Sequence, residues 1–467
     1  MLVASLVLAC SGAPHALVPV SPASSGAPTP DSLAALFLQR FASGTAPAFD
    51  SIDPDAESRA VMHGALQRKR QRDGNLGRVV WRGGRQAVLL LTGTVKADNG
   101  SDESNLVRHF SGFYLAAERG GTWSIVRRIP IDTLNHIHGQ TLHVDLVPGQ
   151  RISVVDTLTI AVGSSFGFAA RMNNDVRIAR LRLDGDSIDW AFGGGVLWIG
   201  ARRANRASLT MEYAVRDANR AEGDTVHRAT SDTMPSYGAF HNTDGWHPFF
   251  GYASANDECP MTLTVRVPAA YYLTTTLPQT ESVANGVRTV VGRTEYPAWL
   301  LSLIYDRDWH PMSSDVDGVR FETFATSAFH FGHDTLAAAL RRVDRILGTR
   351  FGGPTPKYVA VVEDRLLGKR GLSVRMTDAV ISGSDAAYLD ESGIRGPSAV
   401  FGHEVSHAWT MNATGPASNM LREGWATFSE ALVLGAEHGP DVEADFWNRL
   451  RNGYMLGSEG RLSILGT

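Results

Sequence analysis

The chain has 467 residues, 43% hydrophobic and 20% charged, the make-up of a folded protein too long for one compact core. A formal net charge of −4 excludes a general electrostatic attraction to nucleic acid or to an anionic membrane surface. Its two cysteines, Cys10 and Cys259, exclude a disulfide framework and a structural zinc site built of cysteines.

The first ten residues, Met1-Leu2-Val3-Ala4-Ser5-Leu6-Val7-Leu8-Ala9-Cys10, form an apolar run that ends in a small residue and a cysteine. This resembles the lipobox of bacterial lipoproteins, although no basic residue precedes the run. The resemblance implies export to the periplasm or outer membrane, with Cys10 as the lipidated residue. No later stretch approaches the ~18 apolar residues that span a bilayer, so membrane attachment is expected only through that lipid anchor. Residues 11–30 are rich in Ser, Pro, Ala and Gly and read as a disordered tether, which completes a signal-and-tether segment at 1–30.

Residues 31–132 read as a small α+β domain. Asp31 can cap a helix over Ser32–Phe41, and a second helical stretch is expected near Arg59–Arg72. Strands follow at Arg78–Trp81, Gln86–Thr94, Arg108–Glu118 and Thr122–Pro130. Helices followed by a strand meander are similar to the nuclear transport factor two-like fold.

Residues 138–326 alternate short strands with turn signals such as Asn173-Asn174, Asp184-Gly185 and Asn285-Gly286, which argues for an all-β saddle or sandwich. Strands are expected at Leu142–Val147, Thr157–Ala161, Asp175–Leu183, Leu209–Val215, Met261–Val267, Tyr271–Thr275, Arg288–Val291, Trp299–Ile304 and Val319–Phe324. His136, His138 and His143 lie near the start but lack a carboxylate or cysteine to complete a metal shell, and read as polar surface. Trp246-His247-Pro248, followed by a strand ending Val267-Pro268, resembles the β domain of the aminopeptidase N family.

Residues 327–467 carry the chemistry. An amphipathic helix is expected from His333, with Leu336, Leu340, Val343 and Leu347 on one stripe and Gly348 as its stop. Phe351-Gly352-Gly353-Pro354 breaks the chain before an apolar strand at Lys357–Glu363. Gly371–Asp390 is expected to supply an edge strand over the substrate cleft.

Pro397-Ser398 then opens a helix carrying His403-Glu404-Val405-Ser406-His407. Two imidazoles four residues apart share a helix face and aim at one point, with Glu404 beside it as a base. A catalytic zinc takes three protein ligands and leaves a fourth position to water. Glu423, in Leu421-Arg422-Glu423-Gly424-Trp425-Ala426, supplies the third from a separate helix with Ser418 as its cap and a stop near Gly435. A last helix follows Pro440, with Phe446, Trp447 and Leu450 as expected core residues.

This constellation resembles the gluzincin metallopeptidases, and Leu421–Phe428 looks like the aminopeptidase N family's second zinc motif. The resemblance implies a thermolysin-like zincin catalytic domain in a multidomain α+β protein. It also implies one Zn2+ per chain held by His403, His407 and Glu423, Glu404 as general base, and a peptide substrate. In that family a glutamate on the edge strand holds the substrate's free amino group, and a downstream tyrosine stabilises the oxyanion. Here Arg370–Asp378 contains no glutamate, and Asp378 is the substitute the stretch offers. Tyr454 is the sole tyrosine after Glu423 and the candidate for that role, and the chain ends 44 residues past that ligand, which reads as a truncated or pared-down enzyme. The expected function is a zinc-dependent peptidase, exo- or endo-acting. The alternative is a zincin scaffold that serves as a binding or structural module, and the oligomeric state is left open.

Overall fold

A computed structural model describes residues 29–35, 71–96, 107–129, 136–163, 167–173, 175–193, 195–200, 204–216, 237–240, 245–248, 259–298, 301–353, 356–365, 378–383, 388, 396–409 and 418–458. The signal-like stretch ending at Cys10, Asn174 and the expected helix at 59–70 lie outside them. The chain divides into two compact units, Met1–Ile129 and Pro130–Thr467.

In the first unit, β1 (Gln71–Gly83), β2 (Gln86–Lys96), β3 (Val107–Arg119) and β4 (Thr122–Arg128) form an antiparallel sheet in chain order. Gln71 and Arg72, expected to end a helix, instead begin β1. Residues 30–35 are helical, and Ala34 packs on Leu89, Leu91, Tyr114 and Ile125 of the sheet. Asp31 pairs with Arg82.

The second unit opens with β5 (His136–Val147), β6 (Arg151–Val162), β7 (Phe168–Arg171), β8 (Arg177–Leu183), β9 (Asp186–Ser187), β10 (Trp190–Gly193), β11 (Val196–Ile199), β12 (Ala204–Arg216), β13 (Tyr237–Phe240), β14 (Cys259–Pro268), β15 (Tyr272–Thr275), β16 (Gln279–Ala284), β17 (Val287–Ala298) and β18 (Leu303–Asp306). Eight of these form one sheet in the order β16-β17-β14-β5-β6-β12-β8-β9, in which only the β14–β5 pair is parallel. Along β14, Cys259, Met261, Leu263, Val265 and Val267 alternate inward into the core, the period-2 pattern of a half-buried strand. Asn285 and Gly286 take φ of 52° and 75°, the mirror-image turn that closes a two-residue hairpin between β16 and β17. Asp184-Gly185 and Asp317-Gly318 do the same. The strand expected at Trp299–Ile304 lies later, as β18, because Leu301 and Ser302 precede the ladder with β13 and β15.

The remainder holds β19 (Met312–Val316), β20 (Val319–Phe324), α1 (His333–Phe351), β21 (Tyr358–Glu363), β22 (Asp378–Gly383), α2 (Gly396–Glu404), a 3-10 segment (Val405–Trp409), α3 (Ser418–His438) and α4 (Pro440–Ser458). The sheet order is β19-β20-β21-β22, with β20, β21 and β22 parallel. Leu336, Leu340, Val343 and Leu347 of α1 are fully buried against Phe321, Val359, Val361 and Ile381 of this sheet and Phe401 of α2. Each such side chain contributes roughly 1.5–3 kcal/mol by leaving water.

Two expected helix stops fall one turn early, for one reason. Gly348 lies inside α1, and Gly352 ends it at φ 59°, ψ −171°, donating its N–H to the Gly348 carbonyl at 2.9 Å. Gly435 likewise lies inside α3, and Gly439 at φ 98° donates to the Gly435 carbonyl at 2.9 Å. In both cases the second glycine of a pair four apart takes the positive φ that closes a helix. Gly435 has another task, since a Cβ there would lie 3.2 Å from the Cβ of Glu443, so α4 crosses α3 closely at this point. Ser418, expected as a cap, is the first residue of α3. Phe446 is buried, but Trp447 and Leu450 are 38% and 40% exposed rather than core. Phe446 faces Ala399, Ala431 and Leu434, and the turn of the helix carries Trp447 outward.

Candidate metal centre

α2 enters the site through Ser398, Ala399, Phe401 and Gly402, all buried. Gly402 lets it approach α3 closely: a Cβ there would stand 3.0 Å from Val433 Cγ2 and 3.3 Å from Glu430 Cα. The helices run antiparallel, and α3 faces α2 with glutamates seven residues apart. Glu423 and Glu430 reach His403, and Glu437 accepts a hydrogen bond from Ser398 Oγ at 3.0 Å. Arg342 of α1 also pairs with Glu437, at 2.7 Å. A seven-residue step is nearly two full helical turns, so the three carboxylates share a face.

The two histidines do not sit on one α-helix as expected. The α conformation ends at Glu404, and His407 lies in the 3-10 segment, where Ser406 Oγ–H caps the His403 carbonyl at 2.7 Å. Tighter winding brings residues three apart into line, and Glu404 accordingly stands 3.8 Å from His407 Nε2. The end of the segment is tied down by Trp409, whose Nε1–H donates to the Gly352 carbonyl at 2.7 Å. Phe351 packs between Trp409 and Trp425, with ring centroids at 6.0 and 4.6 Å.

The structure brings His403, His407 and Glu423 together, with one ligand atom from each all within 4.8 Å of one another. Among the described residues no second group of this kind occurs, and His138 and His143 are not part of one. His403 Nε2 and Glu423 Oε2 are 3.6 Å apart, close to the ~3.4 Å that separates two ligands at about 2.1 Å from a tetrahedral zinc. Two imidazoles and a carboxylate also make the donor set that suits zinc better than magnesium or calcium. The residues present therefore fit a zinc ion. Glu423 is 66% exposed while His407 is 8% exposed, so the site has a dry wall and an open side.

The electrostatics are those of an acidic pocket around an imidazole. Burial alone would lower the pKa of His403. Hydrogen bonds that the His403 ring donates to Glu423 and Glu430, and the charges of Glu404 and Glu430, overcome it and push the value up to about 10. A cation is thus favoured at this point in the absence of metal. Tyr388, fully buried against Phe329 and Phe331, has its phenol raised well above the usual range, first by burial and then by the Glu404 carboxylate. Glu430, Glu437 and Tyr388 were not legible as site residues from sequence. The signal for the first two was the seven-residue spacing from Glu423.

Tyr454 lies on α4 and Asp378 opens β22, but the side chains of both fall outside the described residues, as do 371–377. Cys259 is buried in the core of the β-rich part. No helix among the described residues is long and apolar enough to cross a membrane.

No protein-family profile matches the chain, and no curated protein matches it significantly. Solved structures do. A glutamate-to-alanine mutant of the M1 zinc metallopeptidase from Deinococcus radiodurans is 19% identical with a TM-score of 0.54, covering 68% of this chain and 76% of that one. The same mutant bound to a Tyr-Ser-Ala substrate superposes over the same shares at 19% identity and a TM-score of 0.52. A two-domain M1 zinc metallopeptidase mutant bound to L-tryptophan gives 18% identity and a TM-score of 0.53, again over 68% and 76%. The likeness shows the fold alone: over about two thirds of its length, 68%, this multidomain α+β chain is similar in fold to these solved M1 zinc metallopeptidases.

Proposed function

We propose that the chain is a zinc-dependent peptidase whose metal is held by His403, His407 and Glu423. The observation that carries this reading is the convergence of those three donors with the Glu404 carboxylate 3.8 Å from His407. The fold shared with M1 zinc metallopeptidases supports it, and so does the Tyr-Ser-Ala substrate bound to one of those neighbours.

Zinc bound there would polarise the scissile carbonyl and make water acidic enough to attack at neutral pH. Glu404 takes the proton from the attacking water and returns it to the leaving amine, because its carboxylate lies near both atoms in turn. Tyr454 is the one tyrosine after Glu423 that the sequence offers as an oxyanion donor, and β22 is the edge strand along which an extended peptide would align. The catalytic part is read as a thermolysin-like domain preceded by a β domain and a smaller α+β domain. The apolar run ending at Cys10 supports export and attachment by a lipid anchor.

The stretch Arg370–Asp378 carries no glutamate to hold a free amino terminus, which favours an endo-acting enzyme or a binding module over an aminopeptidase. A peptide-library digest with free and blocked N-termini, with and without chelator, separates these readings. Chelator-sensitive cleavage is expected, and cleavage of blocked peptides identifies the endopeptidase. A complete absence of cleavage by zinc-loaded protein overturns the peptidase reading in favour of the binding module.

A further inference from the structure

Beyond the three donors, we infer that Glu430 is a positioning residue that holds His403 in the tautomer and orientation the metal requires. The inference rests on the reading of His403 as a zinc ligand. A neutral imidazole has one ring nitrogen with a proton and one with a lone pair, and a metal can use only the second. Here the two nitrogens of His403 face different carboxylates. Nε2 points to Glu423 at 3.6 Å, and Nδ1 points to Glu430 at 3.5 Å. Glu430 therefore accepts the Nδ1 proton, and the Nε2 lone pair is left toward the point shared with His407 and Glu423.

Glu423 and Glu430 differ in surroundings, and the difference separates their roles. Glu423 is 66% exposed, as suits a ligand on the open side, whereas Glu430 is 12% exposed in the seam between α2 and α3. That seam is tight, since the Glu430 Cα would stand 3.3 Å from a Cβ at residue 402. The carboxylate is thus held by packing rather than by solvent. Such partners of metal-bound histidines typically account for 10–100-fold in metal affinity.

The test is the zinc dissociation constant of full-length protein, measured by competition with a chromophoric chelator, for wild type, Glu430→Ala, Glu430→Gln and His403→Ala. Circular dichroism and thermal unfolding check that each variant is folded. Glu430→Ala is expected to bind zinc about 10–100-fold more weakly. Glu430→Gln fills the same space and keeps an acceptor without the charge, so its loss should be smaller. Cobalt substituted into Glu430→Ala should show an altered visible d–d spectrum, which a purely structural role would not produce.

A folded Glu430→Ala with wild-type affinity and spectrum overturns the inference. Should that variant fail to fold, a wild-type dissociation constant in Glu430→Gln overturns it instead. If wild type binds no zinc, or His403→Ala binds as tightly as wild type, the metal reading itself fails and this inference fails with it. Loss in His403→Ala alone, with both Glu430 variants unchanged, refutes only the positioning role.

Discussion

Gly402 and Val433 set the distance between the two helices that carry the candidate ligands, for a Cβ on residue 402 would lie 3.0 Å from Val433 Cγ2. His403 follows Gly402 directly, and Glu430 precedes Val433 by three residues, so this contact fixes how far the carboxylates of α3 stand from the imidazole. Gly402→Ala improves helix propensity by up to about 1 kcal/mol but overpacks the seam at a cost of about 1–3 kcal/mol. The nearest atoms include the backbone of residue 430, which yields less readily than a side chain, so the overpacking should win. Urea unfolding should show a net loss of about 1 kcal/mol, with weakened zinc binding beside it. A variant more stable than wild type with unchanged zinc affinity would refute this account of the seam.

The paired glycines at the end of α1 should respond to alanine with opposite signs. Gly348 is helical and a Cβ there meets nothing within 4 Å, so Gly348→Ala should stabilise by up to about 1 kcal/mol. Gly352 sits at φ 59°, ψ −171°, a conformation essentially confined to glycine, and Gly352→Ala should cost about 1–3 kcal/mol. Denaturant midpoints of the two variants check this directly, and equal shifts would contradict the assignment of Gly352 as the cap.

Asp156 predicts a pH dependence remote from the metal site. It is fully buried on β6 and accepts hydrogen bonds from Gln140 Nε2 at 2.9 and 3.1 Å. Burial pushes its pKa up to about 7 from 3.8, against the opposing effect of the Gln140 hydrogen bond. The folded-state value exceeds the unfolded one, so the contribution to stability is fully present below about pH 3.8 and is lost as pH rises through about 7. Three pKa units correspond to an upper bound of about 4 kcal/mol. Asp156→Asn should therefore raise unfolding free energy at pH 8 by up to about that amount and change it little at pH 4. The same difference at both pH values would contradict a buried, proton-binding Asp156.

Local patterns in the chain were readable because local geometry decides them. The stripe Leu336-Leu340-Val343-Leu347, the turn at Asn285-Gly286 and the spacing of His403, Glu404 and His407 each need only their own element to take shape. Glu430 and Glu437 were not readable, since a glutamate on a helix is by default on the solvated face, and only the close approach of α2 allowed by Gly402 turns them inward. The 3-10 winding at His407 and the outward turn of Trp447 likewise depend on packing between elements. Of the paired glycines, sequence marked the first, and only the backbone shows that the second takes the positive φ. The small sheet of β7, β10 and β11 is not legible in the sequence, because strands of four residues leave too short an alternation.

The assignment of Glu404 is the point at which fold becomes chemistry, and it is tested most directly by peptide hydrolysis with four preparations side by side: wild type, stripped, reconstituted and Glu404→Gln. Wild type should cleave, should lose cleavage when stripped by a chelator, and should regain it with one equivalent of zinc per chain. Glu404→Gln should bind zinc as wild type does and cleave nothing at a measurable rate. Hydrolysis that survives chelation, or a Glu404→Gln variant that cleaves at the wild-type rate, would contradict the account.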